Sequence, residues 1–202
     1  MMINTVIFDF GGVLIDWNPK YLYKTIFSDE EEMNNFLNEV CTADWNEEQD
    51  AGRTIEEAAA FLVKKYPEQE ANIRAYYSRW EEMLGGVFDG TVSILKELKE
   101  SKKYKILGLT NWSSETFPIA QKRYDFLGWF DGIVVSGTER SRKPFPEFYQ
   151  ILLDRYEVNP GEAIFIDDNI RNVKAAIELG IHSIQFTTPE KLRDSLLEIG
   201  IL

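Results

Sequence analysis

Apolar residues are spaced in two different ways along this chain, and the change of spacing divides it. From Val6 to Leu14 they run almost without a break, interrupted by Asp9 and Gly11-Gly12, the pattern of a buried parallel strand entering a tight turn. From Pro19 to about Phe88 the spacing becomes helical, over 20–27, 29–40, 54–66 and 68–84, with no strand expected. Ser28-Asp29-Glu30-Glu31 and Thr54-Ile55-Glu56-Glu57 read as capping boxes, Gly85-Gly86 as the close of the block, and Ile73, Tyr76, Tyr77 and Trp80 as one packed face. Further on, strands expected at 105–110, 132–136, 163–167 and 183–186 alternate with helices at 116–124, 145–156, 170–179 and 189–199. Asp89-Gly90-Thr91 leads into a helix carrying Val92, Leu95 and Leu98; no apolar strand precedes it, so it reads as a hinge.

Strand-helix alternation of this kind builds right-handed βαβ units. The expected fold is α/β: a doubly wound, Rossmann-like parallel sheet formed by 1–15 and 88–202, with a helical cap at 16–87 inserted after the first strand. That order of elements puts the cap over the end of the first strand.

Charge and composition narrow the function classes. A net charge of −12 over 202 residues argues against nonspecific binding to nucleic acid or an anionic membrane, because the long-range field repels both. An anionic substrate therefore needs a local cation. The first residues turn polar at Asn4 and charged at Asp9, and no apolar run approaches the roughly twenty residues of a membrane span. We expect a cytoplasmic protein, a monomer or weak dimer. The single cysteine, Cys41, excludes an internal disulfide and reads as a small packed side chain.

Candidate chemistry collects at the strand ends. In open parallel sheets ligands bind beyond the carboxyl ends of the strands, and here those ends carry Asp9, Thr110-Asn111, Lys143 and Asp167-Asp168. Asp9 stands where a nucleophile or metal ligand would stand, or else it bonds the turn's backbone. Three converging carboxylates repel one another unless a cation intervenes, and an oxygen-only donor set suits magnesium. The alternative for Asp167-Asp168 is capping of the helix that follows. Lys143 can hold both the carboxylate and a phosphoryl oxygen, or be simply solvated. Thr110 offers a hydroxyl and Asn111 an amide, or both serve an ordinary turn. In the cap, Trp45, Asn46, Gln49, Asp50, Gly52 and Arg53 form a polar-aromatic cluster in an expected loop. It reads as a substrate platform carried by Trp45, Gln49 and Arg53, or as a helix junction.

Asp9 after a hydrophobic strand, Thr110-Asn111, Lys143-Pro144 and Ile166-Asp167-Asp168 with Asn172 together resemble the haloacid dehalogenase-like hydrolases. The four-part order covers essentially the whole chain. The resemblance implies that Asp9 attacks phosphorus to form an aspartyl phosphate. Magnesium would be held by Asp9, the backbone carbonyl of Gly11 and Asp168, with Asp167 behind them or acting through water. Thr110 and Lys143 would hold the phosphoryl oxygens, and the cap would choose a small phosphorylated metabolite.

One position departs from the family pattern. Most phosphatases of this family carry an acid-donating aspartate two residues after the nucleophile, where this chain has Gly11. Losing a general acid typically costs roughly 10²–10⁴-fold, least for a good leaving group. That favours a sugar 1-phosphate, which leaves as a hemiacetal oxygen. The Gly-containing turn is also similar to that of bacterial glucose-1-phosphatases and of the phosphatase domain joined to epoxide hydrolases. Asp16 could stand in as the acid, or bond loop backbone. The rival readings are a 2-haloacid dehalogenase, which needs no metal, and a catalytically idle binding protein.

Overall fold

The computed structural model describes residues 3–202. Its centre is a five-stranded parallel sheet. The chain supplies β1 (Thr5–Phe8), then β2 (Ile15–Trp17) and β3 (Leu84–Val87), then β4 (Lys105–Thr110), β5 (Gly132–Val135), β6 (Ala163–Asp167) and β7 (His182–Gln185). The order across the sheet is β5-β4-β1-β6-β7, so β1 lies in the middle. Alternation along these buried strands feeds two apolar layers. Ile7, Leu107, Leu109 and Phe165 face Phe148, Leu152 and Leu153 of helix Pro146–Arg155 on one side. Val6, Phe8, Ile106 and Ile164 face Ile94, Leu95 and Leu98 of helix Asp89–Ser101 on the other.

Register decides what the strand ends bring together. Phe8 lies level with Gly108 on β4 and Ile166 on β6. The next residue of each outer pair follows, so Asp9 and Asp167 emerge side by side, and the Asp9 N–H still donates to Ile166 O at 2.9 Å. Thr110 ends β4 beside them.

The helical block sits between β2 and β3, and here the chain differs from expectation. Gly85-Gly86 does not close a helix; it lies within β3, which pairs antiparallel with β2. Four residues with two glycines carry no alternation, so the pattern could not separate this strand from a helix end. Residues 43–50, expected as a loop, form helix Ala43–Asp50, capped by Thr42, whose hydroxyl accepts from Trp45 N at 3.1 Å. Only Trp45 and Gln49 of that helix are buried, too few to write a stripe. The stretch 20–27 is helical only over Pro19–Tyr23, and 68–84 holds helix Glu70–Ser78 followed by a 3₁₀ turn. Asp29, not Ser28, caps helix Glu30–Glu39, whereas the Thr54/Glu57 capping box forms at helix Ile55–Lys65. No helix among the described residues is long and apolar enough to cross a membrane.

Candidate active site

Asp9 is buried at the mouth of β1, and its two oxygens differ. Oδ1 accepts from Phe10 N at 2.7 Å and faces Lys143 Nζ at 2.9 Å. Among the described residues no donor reaches Oδ2. The turn-bonding role weighed for Asp9 therefore occupies one oxygen and leaves the other for chemistry. Gly12 lets Asp168 come close: its φ is +75°, and a Cβ there would lie 2.6 Å from Asp168 Oδ2.

Lys143 is one of the largest fully buried side chains, with 1% exposure. Its ammonium bridges Asp9 and Asp167, the latter at 2.7 Å. Asn111 fixes the lysine's backbone from β4, its Nδ2 donating to Lys143 O at 3.0 Å and its Oδ1 accepting from Lys143 N at 2.8 Å. These bonds engage Oδ1 and one of the two Nδ2 hydrogens, so a binding role for Asn111 at the cavity wall rests on the remaining N–H. Thr110 differs: its hydroxyl is buried at the site with no hydrogen-bond partner among the described residues.

Asp167 and Asp168 divide the work at the end of β6. Asp167 Oδ2 accepts from Lys143 and from Asn172 Nδ2 at 3.0 Å, and Oδ1 from Asn169 N at 2.8 Å and Asn172 Nδ2 at 3.1 Å. So committed, Asp167 is placed to orient Lys143 rather than to serve as a direct metal ligand. The capping role weighed for this pair falls instead to Asn169, which accepts from Arg171 N at 3.0 Å. Asp168 stays at the solvent rim. Carboxylate oxygens of Asp9, Asp167 and Asp168 lie within 4.8 Å of one another.

That crowding shows in the proton affinities. Burial first, and then Asp167 and Asp168, push Asp9 well above the usual carboxylate range, against the opposing pull of Lys143. Asp168 is also raised, by partial enclosure of its carboxyl and by Asp167. Burial works against the charged form of Lys143, yet Asp167 and Asp9 outweigh it and hold the ammonium above its ordinary value. One lysine therefore does not neutralise three carboxylates. The all-oxygen donor set, the excess negative charge and the glycine turn beside Asp168 fit a hard divalent cation.

Next to this centre, meeting it at Gly11 and Asn111, lies a cavity of about 100 Å³, walled also by Ser113 from the sheet side and by Asn46, Asp50, Tyr77 and Trp80 from the helical block, with Trp17 and Trp112 beside them. Helix Ala43–Asp50 reaches it with one face only. Trp45 and Gln49 point the other way: Trp45 Nε1 donates to Ala58 O at 3.3 Å, and Gln49 is fully buried between Tyr77 and Arg53. Arg53 donates to Trp45 O at 2.9 Å. The predicted platform of Trp45, Gln49 and Arg53 is thus the inner packing of the block, and Asn46 and Asp50 are the members of that cluster that face the cavity. Helical periodicity explains the split, since 45 and 49 share one face while 46 and 50 share another. Trp112, following Asn111 directly, could have been read as a wall residue from its position alone. Asp16 does not line the cavity; its Oδ2 accepts from Tyr21 OH at 2.7 Å.

Residues 3–180 match the family model described as haloacid dehalogenase-like hydrolase. The chain belongs to this family of hydrolases. It is 27% identical over 184 residues to a sesquiterpene phosphatase, astK, of Aspergillus oryzae, covering 91% of this chain and 90% of that protein. It is 26% identical over 209 residues to a phosphorylated carbohydrates phosphatase of Thermotoga maritima, covering 98% and 92%. The match to the drimenol cyclase drtB of Aspergillus calidoustus spans only 37% of that longer protein. In fold it is similar to a HAD family enzyme of Bacteroides thetaiotaomicron solved in complex with magnesium and inorganic phosphate, with a TM-score of 0.68 at 23% identity over 92% of this chain and 95% of that one.

Proposed function

We propose that this hydrolase is a magnesium-dependent phosphomonoesterase acting on a small phosphorylated metabolite through an aspartyl-phosphate intermediate. The observation that carries the reading is the arrangement of Lys143 between Asp9 and Asp167 beside Asp168, with one Asp9 oxygen free. Asp9 Oδ2 is the nucleophile. Lys143 stabilises both the attacking carboxylate and the incoming phosphoryl group, and the Thr110 hydroxyl donates to a phosphoryl oxygen. Asp9, the Gly11 carbonyl and Asp168 would hold Mg²⁺, which supplies charge neutralisation that lets a dianion approach a buried carboxylate.

Residues 16–87 act in this reading as a cap that selects the leaving group. Four aromatic side chains, Trp17, Tyr77, Trp80 and Trp112, line the cavity beside Asn46 and Asp50, which suits stacking on the apolar face of a sugar ring with hydrogen bonds to some of its hydroxyls. The phosphatases it resembles, one named for carbohydrates and one for sesquiterpenes, are consistent with such a pocket. With Gly11 offering no proton, a sugar 1-phosphate is the least penalised substrate; that preference lasts only while no other side chain donates.

Two alternatives weigh less. Dehalogenation uses no metal and would leave the third carboxylate, Asp168, an unrelieved cost. An idle binding protein would have no use for an unpartnered Thr110 hydroxyl and a free Asp9 oxygen. The test is hydrolysis of nitrophenyl phosphate with and without Mg²⁺, together with mass-spectrometric trapping of a phosphorylated Asp9. Turnover that requires Mg²⁺ and disappears in Asp9→Asn supports the reading; halide release from a 2-haloacid without metal overturns it.

A further inference from the structure

The family's usual acid is missing at Gly11, yet nothing in the packing forbids one there. A Cβ at Gly11 would meet no atom within 4 Å, and its φ lies outside the left-handed region. The turn therefore has room for an aspartate that the chain does not use. Of the side chains that wall the cavity, only Asp50 carries a carboxyl.

Asp50 is held there by a relay. Gln49 Nε2 donates to Tyr77 OH at 3.1 Å, Tyr77 OH donates to Asn46 Oδ1 at 2.8 Å, and Asn46 Nδ2 donates to Asp50 Oδ2 at 3.2 Å. The helix that bears it is tied to the sheet-side loops: Glu47 pairs with Arg142 at 2.9 Å and Arg171 at 2.8 Å, residues adjoining Lys143 and Asn169-Ile170. Gly52, just beyond the helix, lies against Gly137 and Arg140. Asp50 is thus aimed from the helical block into the space above Gly11.

We propose that Asp50 is the catalytic acid of this enzyme, supplied by the cap in place of the missing aspartate of the nucleophile turn. This deepens the phosphatase reading and rests on it. As Asp9 Oδ2 bonds to phosphorus, the bond from phosphorus to the leaving oxygen breaks; that oxygen keeps the electron pair and takes the Asp50 proton, releasing an alcohol. Asp50, now a carboxylate, removes a proton from water as the water oxygen bonds to phosphorus. The Asp9–phosphorus bond breaks, its electron pair returns to Asp9, and inorganic phosphate departs with Asp50 protonated again.

The surroundings keep this acid loaded near neutrality. Burial, with Glu47 adding to it, raises the Asp50 carboxyl to about 7, while Arg142, the Ser113 backbone N–H and Lys143 pull the other way. Tyr76 and Tyr77, from helix Glu70–Ser78, complete the titratable groups around it and are themselves held neutral by burial. An acid in that range is well matched to work at physiological pH.

The test compares two leaving groups in the Mg²⁺-loaded enzyme: nitrophenyl phosphate, which expels an acidic phenol, and benzyl phosphate, which expels a poor alkoxide. Asp50→Asn should lower the single-turnover rate of alcohol release from benzyl phosphate by roughly 10²–10³-fold and of phenol release from nitrophenyl phosphate by less than about tenfold, while the later hydrolysis of the aspartyl phosphate slows alike for both. Asp50→Glu, and the double variant Gly11→Asp/Asp50→Asn, should each recover at least about tenfold on benzyl phosphate. The alkaline limb of the wild-type kcat profile should vanish in Asp50→Asn. Equal losses in the rate of alcohol release from both substrates, a change in KM alone, or no loss of that rate on benzyl phosphate would overturn the assignment while leaving the phosphatase reading intact. A wild-type enzyme that hydrolyses neither substrate overturns both. Circular dichroism and Tm of Asp50→Asn separate a catalytic loss from unfolding.

Discussion

On the sheet side of the cavity the groups around the nucleophile are clamped by the protein itself, and Asp9 Oδ2, the Thr110 hydroxyl and Asp168 stay open. Lys143 is clamped by Asn111 at its backbone and by Asp9 and Asp167 at its ammonium, and Asp167 is saturated by Lys143, Asn169 and Asn172. On the helical side, Asp50 is held by the Asn46 amide and Tyr77 behind it and by the Ser113 backbone N–H, and its helix is fastened by ion pairs at a partly open rim. On the proposed reading, the groups that would handle the phosphoryl centre are fixed at strand ends, whereas the group that would meet the leaving alcohol sits on a helix fastened across to the sheet side by side-chain contacts. Transition-state charge is best met by fixed dipoles and cations, while substrates must still enter.

The largest effects should come from the fixed side. Asp9→Asn removes the nucleophilic oxygen and should lower kcat by at least about 10³-fold, read with nitrophenyl phosphate under saturating Mg²⁺. Lys143→Met strips the cation from a buried cluster of carboxylates. It should cost about 3–5 kcal/mol of stability, read by urea unfolding of the metal-free protein, with Mg²⁺ restoring part of the loss. Retention of full stability would show that Asp9 and Asp167 do not depend on that ion pair. Asn111→Ala releases the Lys143 backbone without touching its ammonium. A displaced catalytic group costs up to about 10²-fold, so kcat should fall by roughly 10–10²-fold with little change in KM.

Next in size is a pH effect in which both sides take part. An unfolded Asp50 titrates near its ordinary 3.8 and the folded one near about 7, so between these values the native state holds the extra proton. Stability of the metal-free protein should therefore fall as pH rises through that window, because the native state binds more protons than the unfolded one. Asp9 and Asp168, also raised, act in the same direction. Asp50→Asn should flatten the fall in Tm, and Mg²⁺ at neutral pH should raise Tm by favouring the ionised forms of Asp9 and Asp168. A Tm that climbs with pH across this range in the absence of metal would contradict these carboxyl assignments.

The two sides also differ in how far the sequence alone reveals them. β1, β4 and β6 are long apolar runs ending in a polar residue, so Asp9, Thr110 and Asp167 announce themselves by where hydrophobicity stops. Asp167 and Asp168 look alike as residues; the family resemblance set Asp168 in front and Asp167 behind, and the hydrogen bonds supply the physical difference, one carboxylate committed and the other open. In the cap the cluster 45–53 was visible but its faces were not, because a short charged helix without an apolar stripe reads as a loop. Once Ala43–Asp50 is helical, the i, i+4 pairs sort themselves: Trp45 with Gln49 inward, Asn46 with Asp50 toward the cavity. β3 stayed hidden because two of its four residues are glycine.

The smallest effect sharpens the comparison most. Glu47 touches neither the nucleophile nor the cavity, but it carries both Arg142 and Arg171 and so spans the loop before Lys143 and the first turn of helix Ile170–Glu178. Glu47→Gln keeps the shape of the side chain and removes its charge, and pairs at such a rim are worth about 1 kcal/mol or less. Global stability should therefore shift little. Looser docking of the helix should instead lower the single-turnover rate of alcohol release from benzyl phosphate, which needs Asp50 in place, by several-fold more than that from nitrophenyl phosphate. Raising the salt concentration should narrow the gap between Glu47→Gln and wild type, because screening weakens the wild-type pairs and has none to weaken in the variant. Equal losses on the two substrates at every salt concentration would mean that the helix keeps its place without Glu47, and that both walls of the cavity are fixed alike.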